Sequence, residues 1–147
     1  MQGKKLKIIG RKDKADFPDL GLENIEIKID TGAYTSSMHA HKIEPFEKDG
    51  KPYVKFFLLD PKHPEYTKKA IEAKVLKEKK VKSSIGKSEN RFIIKSKIVL
   101  FGKSYVIELS LANRSKMKSP VLIGRKLLNQ KFLVDTSQKN VSYNLKK

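Results

Sequence analysis

The chain is predicted to be all-β, a compact barrel or sandwich with one short helix near the C-terminus. Three observations predict it. Apolar residues recur with a period of two far more often than 3.6, as in "LENIEIKID" and "RFIIKSKIVL". Turn-forming residues separate these runs, at Asp49-Gly50 and again at Phe101-Gly102. Only "GRKLLNQ", which follows the apolar run Val121-Leu122-Ile123, reads as a helix.

The elements follow in order. "KLKIIG" is a first strand and "LENIEIKID" a second, which ends at Asp30. "SSMHAHKIEPFE" and "PYVKFFLLD" flank the turn Lys48-Asp49-Gly50-Lys51, which is hairpin chemistry. "DPKHPEY" is a proline-marked loop. "IEAKVLKEKKVKSS" is the next strand, and the polar turn "IGKSEN" joins it to "RFIIKSKIVL". The turn at Gly102 then leads into "SYVIELSLAN". After the helix, "KFLVD" and "VSYNL" close the chain as strands. No repeat, low-complexity tract or linker interrupts this pattern, so residues 1–147 form a single domain, the simplest reading of this length.

Composition narrows the chemistry. The chain has no cysteine, which excludes disulfides, thiolate metal sites and a cysteine nucleophile. The N-terminus lacks the apolar core of a secretion signal and no segment reaches membrane-spanning length, so a cytoplasmic protein without membrane contact is expected. The net charge of +17 attracts polyanions. Nearly all of that charge is lysine, with arginine only at Arg11, Arg91, Arg114 and Arg125. Reading of bases and phosphates favours arginine, and no aromatic residues interleave a basic cluster, which argues against nucleic acid as the partner. An acidic substrate fits the charge.

At "IDTGA" a strand runs into an acid, a hydroxyl and a glycine. A carboxylate at a strand end can be aimed into a cleft, the Thr31 hydroxyl can bond neighbouring backbone, and Gly32 lets backbone approach closely. These are the parts of an aspartic peptidase, in which two carboxylates share one proton and activate a water. Alone, the three residues read better as a turn, which all three favour. A second element, "VLIGRKLL", carries an apolar run through glycine into the helix.

Together, and in this order, "IDTGA" and "VLIGRKLL" resemble the retropepsin family of aspartic peptidases. "FPDLGLENIEIKIDTGAYTSSMHAHKIEPFEKDG", "VKSSIGKSENRF", "IELSLANRSKM" and "VLIGRKLLNQKFLVD" extend the likeness over nearly the whole chain. They are similar to the retropepsin-like family labelled ATP-dependent zinc protease, which is associated with RimK-type glutamate ligases. The resemblance implies a closed barrel, with Asp30 catalytic and Thr31, Gly32 and Ala33 shaping its loop. Leu122, Ile123 and Gly124 would form the supporting strand. From its own position, opening the helix beside that loop, Arg125 is expected to brace it against an acid. The family motif has arginine after Asp-Thr-Gly-Ala, where this chain has Tyr34.

Neither word of that label finds its residues here. "IGKSEN" lacks the upstream glycine of a phosphate loop, and there is no His-Glu-x-x-His, so neither cofactor nor metal is expected. His39 and His41 project from one strand face and, with a carboxylate, supply the zinc-hydrolase alternative. His63 is the remaining histidine. One chain has one Asp-Thr-Gly, so the second acid must come from a second copy, giving a homodimer with "VSYNL" as a candidate interface strand. Without a dimer, the chain would be a non-catalytic peptide-binding domain. The turn at residues 83–90 is the expected flap, which assigns substrate contacts to Ser84, Gly86 and Arg91. Arg91 is the guanidinium placed to grip a carboxylate of an acidic peptide or protein substrate, with a structural surface salt bridge as the equal alternative.

Overall fold

The structure is a computed structural model describing residues 6–58, 69–82, 86, 88–112 and 119–146. The sequence-assigned residues Ser84 and His63 lie outside the described residues. The strands in chain order are β1 (Lys7–Ile9), β2 (Lys12–Phe17), β3 (Leu22–Ile29), β4 (Ser36–Lys48), β5 (Lys51–Leu58), β6 (Ile71–Lys74), β7 (Lys77–Lys82), β8 (Ser88–Leu100), β9 (Lys103–Ala112), β10 (Val121–Ile123) and β11 (Phe132–Val134). The described residues also form a 3-10 turn at Pro18–Leu20 and two four-residue helices, α1 (Arg125–Leu128) and α2 (Val141–Asn144). No helix among the described residues is long and apolar enough to cross a membrane.

Six strands close on themselves in the order β10, β3, β2, β8, β9, β4, and the pairing of β4 with β10 shuts the ring. This is the closed barrel expected. Closure removes the unpaired edges that an open sheet would expose. In β3, Leu22, Ile25, Ile27 and Ile29 point inward and polar residues point out, apart from one slip at Asn24, whose φ is +52°. Phe17, Ile25, Ile27, Met38, Ile94, Ile98, Leu109, Val121 and Ile123 fill the interior and are buried. β4 and β8, each 13 residues long, serve twice. Their inner portions complete the barrel, while the far part of β4 pairs with β5 and the first part of β8 pairs with β7. Asp49 and Gly50 both have positive φ, as a tight two-residue hairpin requires.

Three elements differ from the sequence reading. β2 was not expected: in "KDKADF" the inward positions are Asp13, Ala15 and Phe17, and an acid and an alanine disguise the alternation. The predicted strand "IEAKVLKEKKVKSS" divides at Val75-Leu76, where Val75 N–H donates to Pro52 O (3.0 Å) and Leu76 N–H to Ile93 O (2.8 Å). The sharpest correction is "VSYNL", which is a helix. Its first amides need acceptors. The buried Asp13 carboxylate supplies them, taking Ser142 N–H at 2.9 Å and Tyr143 N–H at 3.0 Å. "KFLVD" does contain a strand, β11, which runs parallel to β1.

Candidate active site

Asp30 sits where β3 leaves the barrel. Its backbone is held on both sides: Ile29 N–H donates to Arg11 O (2.9 Å) and Asp30 N–H to Ile123 O (2.9 Å). The chain then turns tightly. Ala33 N–H reaches back to Asp30 O (3.2 Å), and Gly32 N–H donates to the Asp30 carboxylate at Oδ1 (3.0 Å). A Cβ on Gly32 would lie 3.3 Å from that same oxygen, so glycine gives the amide and the carboxylate room to meet. Asp30 is half-buried, while Thr31 and Gly32 are exposed. Among the described residues nothing donates to Oδ2.

The second sequence element passes behind this turn. Ile123 lies opposite Ile29, and Leu122 opposite both Lys28 and Ser37, which inserts β10 between β3 and β4. Gly124 follows, with its N–H on the buried Ser36 Oγ (3.0 Å). The opening amides of α1 then take the carbonyls of the Asp30 loop: Arg125 N–H donates to Ala33 O (2.8 Å) and Lys126 N–H to Tyr34 O (2.9 Å). The approach is so close that a Cβ on Gly124 would stand 2.6 Å from Tyr34 O and 2.9 Å from Ala33 O. The helix start and the loop therefore satisfy each other's backbone.

Arg125 meets the loop at a backbone carbonyl, and among the described residues no acid pairs with it. Its Nη1 donates to Thr31 O (2.9 Å), and its guanidinium carbon lies 5.8 Å from the Tyr34 ring centroid. Lys126 takes a different partner: its Nζ meets Glu108 of β9 at 2.7 Å, and Lys77 of β7 meets the other Glu108 oxygen at 3.4 Å. The hydrogen bond from Lys126 holds the Glu108 carboxyl below its usual range, and the same bond raises the Lys126 ammonium.

A sequence model of the RimB-like family, described as the retropepsin-like aspartic endopeptidase RimB, matches residues 8–144. The chain belongs to the RimB-like family. It is 42% identical over 135 residues to a probable alpha-L-glutamate ligase of Shewanella pealeana, covering 89% of this chain but 29% of that protein. A protein of the same name from Desulfotalea psychrophila is 36% identical over 129 residues, covering 88% of this chain and 28% of that one. The chain thus spans less than a third of the length of these curated relatives. A crystal structure of a protein of unknown function from Legionella pneumophila superposes with a TM-score of 0.74 at 29% identity, covering 94% of this chain and 99% of that one.

The remaining sequence-assigned residues of this RimB-like chain fall in two places. Gly86 is exposed with φ +81°, beyond the ends of the paired strands β7 and β8 that form the predicted hairpin. Arg91 lies on β8 opposite Lys79, with its Nε buried and no hydrogen-bond partner among the described residues. His39 and His41 do share a face, their rings stacked at 6.0 Å, and His41 stacks in turn on Phe57 at 5.7 Å. Among the described residues no group of three or more His, Asp or Glu side chains could hold a metal, so the zinc alternative lacks a ligand set there. Ser36, which fixes Gly124, and Glu108 were missed from sequence. Ser36 follows Asp30 by six positions in a strand of otherwise ordinary appearance.

Proposed function

We propose that this chain is an aspartic endopeptidase domain in which Asp30 and the Asp30 of a second copy activate a water molecule. The observation that carries this reading is the Asp30 loop. Asp30 is half-buried, its backbone is held against β10, and its carboxylate receives the Gly32 amide on Oδ1 with no donor to Oδ2 among the described residues, in a chain of the RimB-like family. Two such carboxylates close together cannot both ionise cheaply, so they hold one proton between them. The ionised member takes a proton from water as the water oxygen attacks the scissile carbonyl carbon. The protonated member gives its proton to the carbonyl oxygen. Collapse of the tetrahedral intermediate then returns a proton to the departing amine nitrogen.

Backbone contacts support a pairing face on the β1–β11 ribbon. β1 leads through Gly10 into Arg11, whose carbonyl binds Ile29 N–H, so the β1–β11 ribbon stands at the Asp30 end of the barrel. Ile8 and Leu133, direct partners across that ribbon, are 48% and 55% exposed. We assign the dimer seam to them rather than to "VSYNL", which is folded as α2 against Asp13. A charge of +17 per chain opposes self-association, so salt should strengthen the dimer.

The substrate class we assign is glutamate-rich peptide or protein tails. Support comes from the relatives named alpha-L-glutamate ligase, which contain a region similar to this chain. A lysine-rich surface would also concentrate a polyanionic substrate. The test is cleavage of oligoglutamate-tailed peptides by the wild-type chain and by Asp30→Asn. Cleavage by wild type alone supports the reading. Equal cleavage by both would refute it, and a monomer that cleaves nothing would leave a peptide-binding domain.

A further inference from the structure

Two side chains beside Asp30 take no part in this chemistry. Tyr34 is a large aromatic residue left 52% exposed. Its backbone is nonetheless fixed, because its carbonyl accepts Lys126 N–H and lies against Gly124. An aromatic side chain on a rigid backbone has little freedom to lose on meeting a ligand. Arg125, also exposed, spends one nitrogen on Thr31 O and lies 5.8 Å from the Tyr34 ring centroid. A guanidinium has five N–H donors, and one carbonyl engages only part of that fork. Its charge is also uncompensated: among the described residues no carboxylate forms an ion pair with Arg125, whereas Glu108 neutralises Lys126 next to it. From Thr31 to Ser36 the loop contains no acid.

We propose that Tyr34 and Arg125 form a subsite that binds a carboxylate side chain of the peptide lying at Asp30. The free edge of the guanidinium grips the carboxylate, and the Tyr34 hydroxyl donates a further hydrogen bond. The Thr31 carbonyl and the Tyr34 ring hold the fork in place. The ligand class is a peptide with a glutamyl or aspartyl residue close to the scissile bond. This rests on the reading that the Asp30 loop binds peptide, and it moves the carboxylate contact from Arg91 to the loop itself.

The experiment measures binding, not cleavage. Asp30→Asn protein is titrated with two peptides of equal length, one carrying Glu and the other Gln at the same positions, with calorimetry as readout. The Glu peptide should bind about tenfold more tightly, the effect of a charge-assisted fork. Adding Arg125→Gln should remove that preference, and Arg125→Lys should recover only part of it, because an ammonium is a point charge without a fork. Adding Tyr34→Phe should weaken the preference about threefold. The Gln peptide reports any general loosening of the loop, so the readout is the ratio of the two affinities. The proposal is overturned if the preference survives Arg125→Gln and Tyr34→Phe, which would assign it to the lysine surface. Equal losses for both peptides would overturn it too, since that is what a simple loop brace predicts. Failure of wild type to cleave either peptide would count against the hydrolytic reading alone, because the binding preference is measured without turnover.

Discussion

Replacing Gly124 with alanine should distort the Asp30 loop through contact alone. Gly124 has φ −97° and ψ 179°, extended backbone that alanine adopts freely, so no conformational penalty confuses the result. The new Cβ would stand 2.6 Å from Tyr34 O, 2.8 Å from Tyr34 C and 2.9 Å from Ala33 O. All three are backbone atoms, so no side chain can swing away to relieve them. Forced overpacking of this kind costs about 1–3 kcal/mol. Separating the strands also stretches the Arg125–Ala33 and Lys126–Tyr34 bonds, each worth about 0.5–1.5 kcal/mol. The total is about 2–6 kcal/mol, which for a chain of this length lowers the melting temperature by at least about 6 °C. The assay is thermal unfolding of Gly124→Ala beside Gly102→Ala. At Gly102 nothing lies within 4 Å of the added Cβ and φ is +69°, so only the left-handed penalty of about 1 kcal/mol applies. Exchange of the Gly32 and Arg125 amides should also speed up in Gly124→Ala. If Gly124→Ala melted within a degree of wild type with those amides still protected, the close approach of helix and loop would not be what holds Asp30.

Asp13→Ala should cost about 2–4 kcal/mol in urea unfolding and release α2 to C-terminal proteolysis, since it strands the buried Ser142 amide; Asp13→Asn, keeping one acceptor oxygen, should fall between. On acidification, Asp135 and Glu108 should each withdraw stability. The Ser137 hydroxyl, the Gln138 amide and the Ser137 N–H lower Asp135 to about 2, and hydrogen bonding from Lys126 lowers Glu108. A carboxyl depressed in the fold stabilises above its unfolded pKa and loses that contribution as pH falls through the folded one. The loss should therefore begin below about pH 4.5 for Glu108 and run from about 4 to 2 for Asp135. The Glu108→Gln, Asp135→Asn double variant should show a flatter decline in melting temperature over that window. Ile8→Lys with Leu133→Lys should abolish a dimer in sedimentation at high salt while leaving monomer stability within about 0.5 kcal/mol, both positions being exposed.

The barrel was legible because its inward positions in β3, β8 and β9 are long aliphatics at a period of two, a pattern that survives in any all-β context. β2 was not, because Asp13 occupies an inward position for a reason visible only in three dimensions: it caps a helix more than 120 residues away. That long-range bond also explains the misreading of "VSYNL". Val141 and Tyr143 favour strand locally, and a distant carboxylate overrides the preference. At the site, Asp30 and the Val121–Gly124 run were readable because they occur together and in this order, since acid and glycine at a strand end alone fit an ordinary turn. Their mutual contact was not, nor was the choice of Thr31 O rather than an acid as the partner of Arg125. Backbone acceptors leave no trace in the identities of the residues that supply them.

The claim that one active site is built from two copies of Asp30 is tested most directly by subunit mixing. Wild-type and Asp30→Asn chains are unfolded together, refolded at a fixed total concentration, and assayed for cleavage of a glutamate-rich peptide as their ratio changes. If each site needs an aspartate from both chains, activity follows the square of the wild-type fraction, and an equal mixture retains about one quarter of the full rate. A linear fall, with about one half of the rate remaining at equal mixing, would mean that each chain carries its own complete site and would contradict the account.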